Sequence, residues 1–410
     1  MLSFREAAEV IASELTSLRH ALHREPELGL ELPLTQARVL DALGGLPLEI
    51  STGKGLSSVT AVLRGGRPGP AVLLRGDMDA LPLQELADVP YKSVIDGRMH
   101  ACGHDQHVAI LVGAAKLLCA RRSELPGTVV FMFQPGEEGF DGAGKMIEEG
   151  LLEVAGAPLV GAYSVHVSSY GSELGTFHGR VGTQTAGNAE LKVTVRGRGG
   201  HGSTPQAAAD PVPVAAEMVL ALQNLVTRTT SVFDPVVLTV GLFQAGTKLN
   251  IIPGTAHFEA TVRSTSPQAM ADFLPRAVRL VEGIAEGWGM AADVSAEEGY
   301  PAMIAAEEAV SLGQEVVNDL YGEGSWYTAE HPIMASEDFS RLTAVAPGVQ
   351  LGLSACPPDA DAANAPFNHS PYAVFDDGAL PAGAAVLAEM AWRRVTAGSA
   401  GSAGSAGSAG

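Results

Sequence analysis

The sequence predicts an α/β fold, a mostly parallel sheet with helices on both faces, interrupted by an inserted α+β domain of ferredoxin-like order. Three observations predict it. Apolar runs of strand length alternate with helical spacing over the first 180 or so positions. From about Thr185 the pattern switches to polar/apolar alternation in the order β-α-β-β-α-β. After about Glu297, helix and strand patterns resume.

Taken in order, residues 4–24 space their apolar side chains for a helix, and 58–63 and 71–74 read as strands. A long apolar helix is expected over 107–119, a strand over 128–133, a helix over 144–152 and a strand over 159–167. In the insertion, AELKVTVRG suits a half-exposed strand. A helix is expected over 213–225, strands over 236–240 and 255–262, and a helix over 267–286. The expected domains are therefore 1–184 and 298–396, forming one catalytic domain in two pieces, with 185–297 inserted between them. Residues 397–410 repeat Gly-Ser-Ala, offer no apolar face, and read as a flexible linker or tag.

Composition narrows the function. Of 410 residues, 46 are acidic and 26 basic, for a formal net charge of -20; 46% are apolar and 18% charged. So much apolar material excludes a disordered chain. An acidic chain without a Lys/Arg stripe is not expected to bind nucleic acid or an anionic membrane surface. No apolar run approaches the ~18 to 20 residues that span a bilayer. The N-terminus, MLSFREAAEVIASEL, lacks a basic segment followed by an apolar core, so it reads as an amphipathic helix rather than a signal peptide. Cys102, Cys119 and Cys356 are too few for a disulfide framework and fit a reducing, cytoplasmic location.

The chemistry gathers at strand ends. AVLLRGDMDALP places Asp77 and Asp79 past one strand, VVFMFQPGEEG ends in Glu137 and Glu138, and LVGAYSVHV carries His166. In an open α/β sheet, ligands bind at the carboxyl ends of strands. MHACGHDQHVAIL crowds His100, Cys102, His104, Asp105 and His107 at a helix start, and FNHSPY adds His369 between turn residues. Each has a bland reading alone: an Asp after a strand is a cap, Glu-Glu is a solvated face, a single His is a core residue. Packing gives no reason to place thiol, imidazole and carboxylate together; metal ligation does. GRGGHG (197–202) matches a dinucleotide-binding glycine pattern. Its strand alternates, however, and Pro205, Pro211 and Pro213 delay the following helix, so a glycine-flanked His201 aimed at a ligand is the better reading.

RGDMDALPLQE, MHACGHDQHVAILVGAA, FMFQPGEEGFDGAGKMIEEG, VHV, GGHGSTP, NIIPGTAHFEATVRS, ASEDFS and NHSPY occur in this order. Together they resemble the amidohydrolase branch of the aminoacylase and carboxypeptidase metallopeptidase family, over roughly residues 5–395. That branch includes hippurate hydrolases, N-acyl-amino-acid amidohydrolases and plant indole-acetyl-amino-acid hydrolases. The resemblance implies a catalytic domain of zinc-peptidase type with an inserted lid and dimerisation domain. It also implies two divalent metal ions (zinc, manganese, cobalt or nickel), with Cys102, His104, Glu138, His166 and His369 as ligands. Glu137 resembles the general base, Asp79 a carboxylate that orients a ligand, His201 and Asn250 groups that polarise the scissile carbonyl, and Arg263 the arginine that holds a substrate carboxylate. The implied activity is cleavage of small N-acyl-amino acids to a carboxylic acid and an amino acid, in a homodimer paired through the inserted domain. A metallo-dipeptidase or carboxypeptidase on the same site is the alternative, and a non-catalytic metal-binding protein a third reading. Gly202-Ser203 and Gln206 depart from the branch's usual residues after its lid histidine, which bears on the acyl group accepted.

Overall fold

A computed structural model describes residues 2–405, and their side chains as far as residue 397. The chain divides into two units, each with its own apolar core. One comprises Met1–Gly182, Ile304–Glu330 and Arg341–Gly410; the other comprises Thr183–Met303 and His331–Ser340. Among the described residues, no helix is long and apolar enough to cross a membrane.

The first unit is built on an eight-stranded sheet. Its strands are β1 (Glu49–Thr52), β2 (Val59–Arg64), β3 (Arg67–Asp77), β4 (Pro126–Gln134), β5 (Leu159–Ser168), β6 (Phe177–Gly179), β7 (Trp326–Thr328) and β8 (Gly348–Ser354). They lie in the order β1-β2-β4-β3-β5-β8-β6-β7. The four central strands, β4, β3, β5 and β8, are mutually parallel, while β1, β2 and the β8–β6 pair are antiparallel. The central strands are the continuous apolar runs of the sequence. Val72, Leu74, Phe131, Phe133, Val165 and Leu351 are all buried, as a sheet covered on both faces requires. Helices α1 (Ala12–Arg24), α2 (His104–Ala120) and α3 (Ala379–Ser405) pack together, with α3 also lying on β3 and β5.

Two expectations are corrected. The helix expected over 4–24 is two, Phe4–Val10 and Ala12–Arg24, joined at Ile11. Ala8 and Leu15 on either side both still face the core, so apolar spacing does not register the break. The tail expected to be a linker continues α3 as helix to Ser405. Its alanines favour helix and no proline interrupts propagation from the packed part. The rest of the tail, 406–410, lies outside the described residues.

The second unit has a four-stranded antiparallel sheet in the order Val236–Ala245, Thr255–Ser264, Gly187–Arg196, Ala291–Glu298. With helices Pro211–Thr229 and Pro267–Gly287 the chain order is β-α-β-β-α-β. Gly187–Arg196 buries alternate residues, with Ala189, Leu191, Val193 and Val195 facing the helices. Val236–Ala245 runs further than expected, because its outer half is exposed and set by backbone pairing alone.

A buried charge network fastens α1 to the first turn of α2. Arg19 Nε donates to Asp105 Oδ2 at 2.7 Å and Arg19 Nη1 to Asp377 Oδ1 at 3.1 Å, with the guanidinium 4.2 Å from the Tyr91 ring centroid. His23 lies between Asp105 (2.8 Å) and Glu85 (3.1 Å). Burial alone would lower the His23 pKa; Asp105 and Glu85 outweigh it and raise it. Removing Arg19 leaves the Asp105 charge buried with half its compensation. Arg19→Met is therefore expected to lose about 3–5 kcal/mol of stability, read as a lower urea midpoint. A raised histidine pKa gives stability that is full below the unfolded value of about 6.5 and lost as pH climbs through the folded value. The urea midpoint should fall between pH 6 and pH 9 more steeply in the native chain than in His23→Gln; equal slopes would show that His23 does not contribute.

Candidate active site

Asp79, buried two residues past the end of β3, ties the site together. Its carboxylate accepts the N–H of Glu137 at 3.0 Å and of Glu138 at 3.1 Å, just beyond β4. Its carbonyl accepts Nδ1–H of His104, at the start of α2, at 2.9 Å. Three segments far apart in the chain are thereby fixed to one residue. Gly103, in the left-handed conformation at φ 90°, lets the chain turn into α2; a Cβ there would lie 2.4 Å from Val167 Cγ2, on β5.

The imidazoles sort by what each nitrogen does. With Nδ1 donating to Asp79, the buried Nε2 of His104 has no hydrogen-bond partner among the described residues. His166 donates from Nδ1 to its neighbour's carbonyl at 2.9 Å and turns Nε2 towards Cys102 Sγ at 3.5 Å. His107 spends both nitrogens: Nδ1–H goes to Asp77, itself paired with Arg75, and Nε2 accepts Val167 N–H at 2.8 Å. His100 is buried with neither nitrogen hydrogen-bonded among the described residues, and burial holds it down to about 3.

Ligand-type atoms converge on this corner. Those of Cys102, His104 and His166 lie within 4.8 Å of one another, as do those of Cys102, Glu138 and His369, and those of His104, Glu137 and Glu138. Burial would raise the Cys102 thiol, but His104 and His166 hold it well below its usual range. His369 Nε2 stands 3.3 Å from Glu138 Oε1, and its hydrogen bonds with Cys102 and Glu138 push it up to about 10. A thiol, three imidazoles and a carboxylate, with a buried ring nitrogen aimed among them and no hydrogen bond to make, fit divalent transition metals. His369 has a left-handed backbone, φ 68°, held by its N–H on Ala101 O at 2.8 Å. A non-glycine residue in this region costs of order 1 kcal/mol or more, and such strain concentrates at functional sites.

The structure thus brings together Asp79, Cys102, His104, Glu137, Glu138, His166 and His369. The other three expected residues belong to the second unit. His201 and Asn250 sit together at one end of its sheet: Ile251 pairs with His201, and Asn250 O accepts Gly202 N–H at 2.9 Å. Both side chains are exposed, and Ser203 Oγ lies 2.8 Å from His201 Nδ1. Arg263 is at the other end, on Thr255–Ser264, where its guanidinium donates to Ser336 Oγ and Met334 O. Thr255, three residues after Ile252, lies eight strand steps from Arg263, about 26 Å at ~3.3 Å per residue within the unit.

Sequence reasoning missed Asn368. Its Nδ2 donates to Cys102 O at 3.2 Å and Val167 O at 3.0 Å, while its Oδ1 accepts Ser169 N–H at 3.0 Å. One amide thus joins the cysteine loop and the end of β5 to the turn that presents His369. The only signal was its place directly before that histidine.

Similarity to known proteins points the same way. The chain is 35% identical to IAA-amino acid hydrolase ILR1-like 5 of Arabidopsis thaliana over 387 residues, 92% of this chain and 86% of that protein. It is 35% identical to the hippurate hydrolase of Campylobacter jejuni over 329 residues, 80% of this chain and 85% of that one. Its fold matches the crystal structure of Bacillus subtilis YXEP, described as a dinuclear metal binding peptidase, with TM-score 0.80 and 29% identity over 95% of this chain and 99% of that chain. With residues 73–393 also matching the family as a whole, the chain belongs to Peptidase family M20/M25/M40.

Proposed function

We propose that the protein hydrolyses the amide bond of small N-acyl-amino acids, releasing a carboxylic acid and an amino acid. The observation that carries this is the placement of Glu137 among the ligand-type atoms of His104 and Glu138, beside the Cys102, His166 and His369 donors. The activities named for the plant and Campylobacter relatives support it. Cys102, His104, Glu138, His166 and His369 are the residues that hold two divalent cations, of zinc, manganese, cobalt or nickel. When bound, these ions supply Lewis acidity at the scissile carbonyl.

The chain's own groups do the rest. Glu137 takes a proton from the attacking water and returns it to the departing amine nitrogen, a role that demands a carboxylate not consumed as a ligand. Asp79 holds Glu137 and Glu138 by their backbone N–H groups and fixes the His104 tautomer, so that base and ligand stay in register. Arg263 grips the carboxylate of the amino-acid half in a bidentate manner, while His201 and Asn250 stabilise the oxygen that becomes negative. About 26 Å of strand separates those two contributions within one unit, so one copy of the chain supplies Arg263 and another supplies His201 and Asn250. A homodimer joined through the exposed sheet edges of the second unit is the form this implies, and three cysteines, too few for a disulfide framework, fit a cytoplasmic location.

Three experiments test this reading. Amino-acid release from a panel of N-acyl-amino acids, with free dipeptides as controls, should be abolished by chelator. Glu137→Gln should lower kcat by about 10²- to 10⁴-fold while metal content, measured by elemental analysis, stays the same. Full activity in that variant, or release from dipeptides alone, would sink the proposal. Mixing inactive His201→Ala and Arg263→Ala chains should restore about a quarter of native activity through mixed dimers, in which one of two sites is whole; no recovery would place both contributions in one chain.

A further inference from the structure

His178 is a strand histidine for which the chemistry above has no use, and its surroundings are unusual. In the sheet, Gly352 of β8 is paired with His166 of β5 on one side and with His178 of β6 on the other, and Tyr327 of β7 is paired with His178. Paired residues point to the same face of a sheet. His166, Gly352, His178 and Tyr327 therefore form one row across four adjacent strands. The row begins at a proposed metal ligand and ends at the sheet edge. His166, Gly352 and His178 are half-buried and Tyr327 is exposed, whereas Val165, Val167, Leu351, Leu353 and Phe177 on the opposite face are buried. The row is a half-open ribbon leading away from the donor cluster.

The glycine shapes it. A Cβ on Gly352 would lie 1.9 Å from His178 Cε1 and 2.3 Å from Nε2, so the imidazole occupies the space where a side chain at 352 would stand. It leans over Gly352 towards His166. Tyr327 follows, its ring stacked on that of His178 with centroids 4.8 Å apart and planes 20° from parallel. His178 Nδ1 is buried and has no hydrogen-bond partner among the described residues. Aromatic rings stacked with an offset present a flat face on which a further ring packs well. Adjacent strands lie ~4.8 Å apart. A ring one or two bonds from a carbonyl held beside His166 therefore falls between His166 and the imidazole seated over Gly352.

We propose that His178, seated over Gly352 and backed by Tyr327, is a specificity-determining residue that receives the acyl half of the substrate and favours a planar aromatic one. This rests on the amide-hydrolysis reading above and names the acyl class for it. A short aliphatic acyl group does not reach the ring and gains nothing from it.

The test compares N-benzoylglycine with N-acetylglycine on the metal-loaded protein and measures binding of free benzoate separately. The native chain should prefer the benzoyl conjugate. His178→Ala should lose about tenfold or more in kcat/KM for it, mostly through KM, with acetylglycine changed by less than about threefold. His178→Phe, which keeps a flat ring, should retain most of the preference. Tyr327→Leu, at an exposed position, should lose part of it, which guards against a fold defect in the first variant. An equal loss on both substrates would make His178 a support for His166 and overturn the proposal, as would no change on either. Should the native chain cleave neither conjugate, the hydrolysis reading fails, and benzoate decides the subsite alone. Binding by the native chain that His178→Ala weakens would keep the aromatic subsite, and equal or absent binding would remove it.

Discussion

The register between β3 and β4 is the constraint on which the site depends. The strands are parallel, with Asp77 opposite Gln134, so Asp79 and the Glu137–Glu138 pair emerge at the same edge, close enough for one carboxylate to accept two consecutive backbone N–H groups. That register is set by packing: Val72, Leu74, Phe131 and Phe133 are fully buried on a sheet covered on both faces, and sliding one strand by a residue would exchange the side chains packed against its two faces. The hydrophobic core thus fixes a polar geometry it never touches. Asp79 then carries the order to α2 through the carbonyl that holds His104.

A second constraint is charge. Asp77 and Asp105 are both fully buried, and isolated anions there would be prohibitively costly. Asp77 is answered by Arg75 on its own strand and His107 on α2, and Asp105 by Arg19 and His23 on α1. Two ion networks therefore bracket the first turn of α2 and hold His104 between them. Such networks contribute little net stability, since desolvation offsets most of the attraction, but breaking one leaves an unpaired charge. Their effect is to specify where the turn lies.

Much of this was legible in the sequence, because the central strands are long apolar runs that end in Asp, Glu or His. A run such as VVFMF needs no tertiary information to be recognised as a buried strand, and the residues after it fall at the sheet edge by topology. What was not legible depends on pairing between distant segments. β6 and β7 are three residues each, too short to show a period, and only their neighbours in the sheet put His178 and Tyr327 in one row with His166. Asn368 reads as a turn residue; its bonds to Cys102 and Val167 arise from folding. The separation of His201 from Arg263 follows from strand direction and register, which motif order does not reveal.

The histidines show where residue identity stops being informative. His100, His104 and His107 stand within eight residues, and nothing in their spacing ranks them. The distinction lies in the second nitrogen. An imidazole whose Nδ1–H is bound to a carbonyl has a fixed tautomer, with a lone pair on Nε2 directed outwards, which is the arrangement a metal ligand needs. His104 and His166 both have it, through Asp79 O and Val167 O. His107 has the same anchored Nδ1 but gives its Nε2 to the N–H of Val167, and so joins α2 to β5. One backbone amide thus separates a structural histidine from a proposed ligand three residues away. It belongs to the residue that follows His166, so the strand that presents one proposed ligand also takes His107 out of the candidate set.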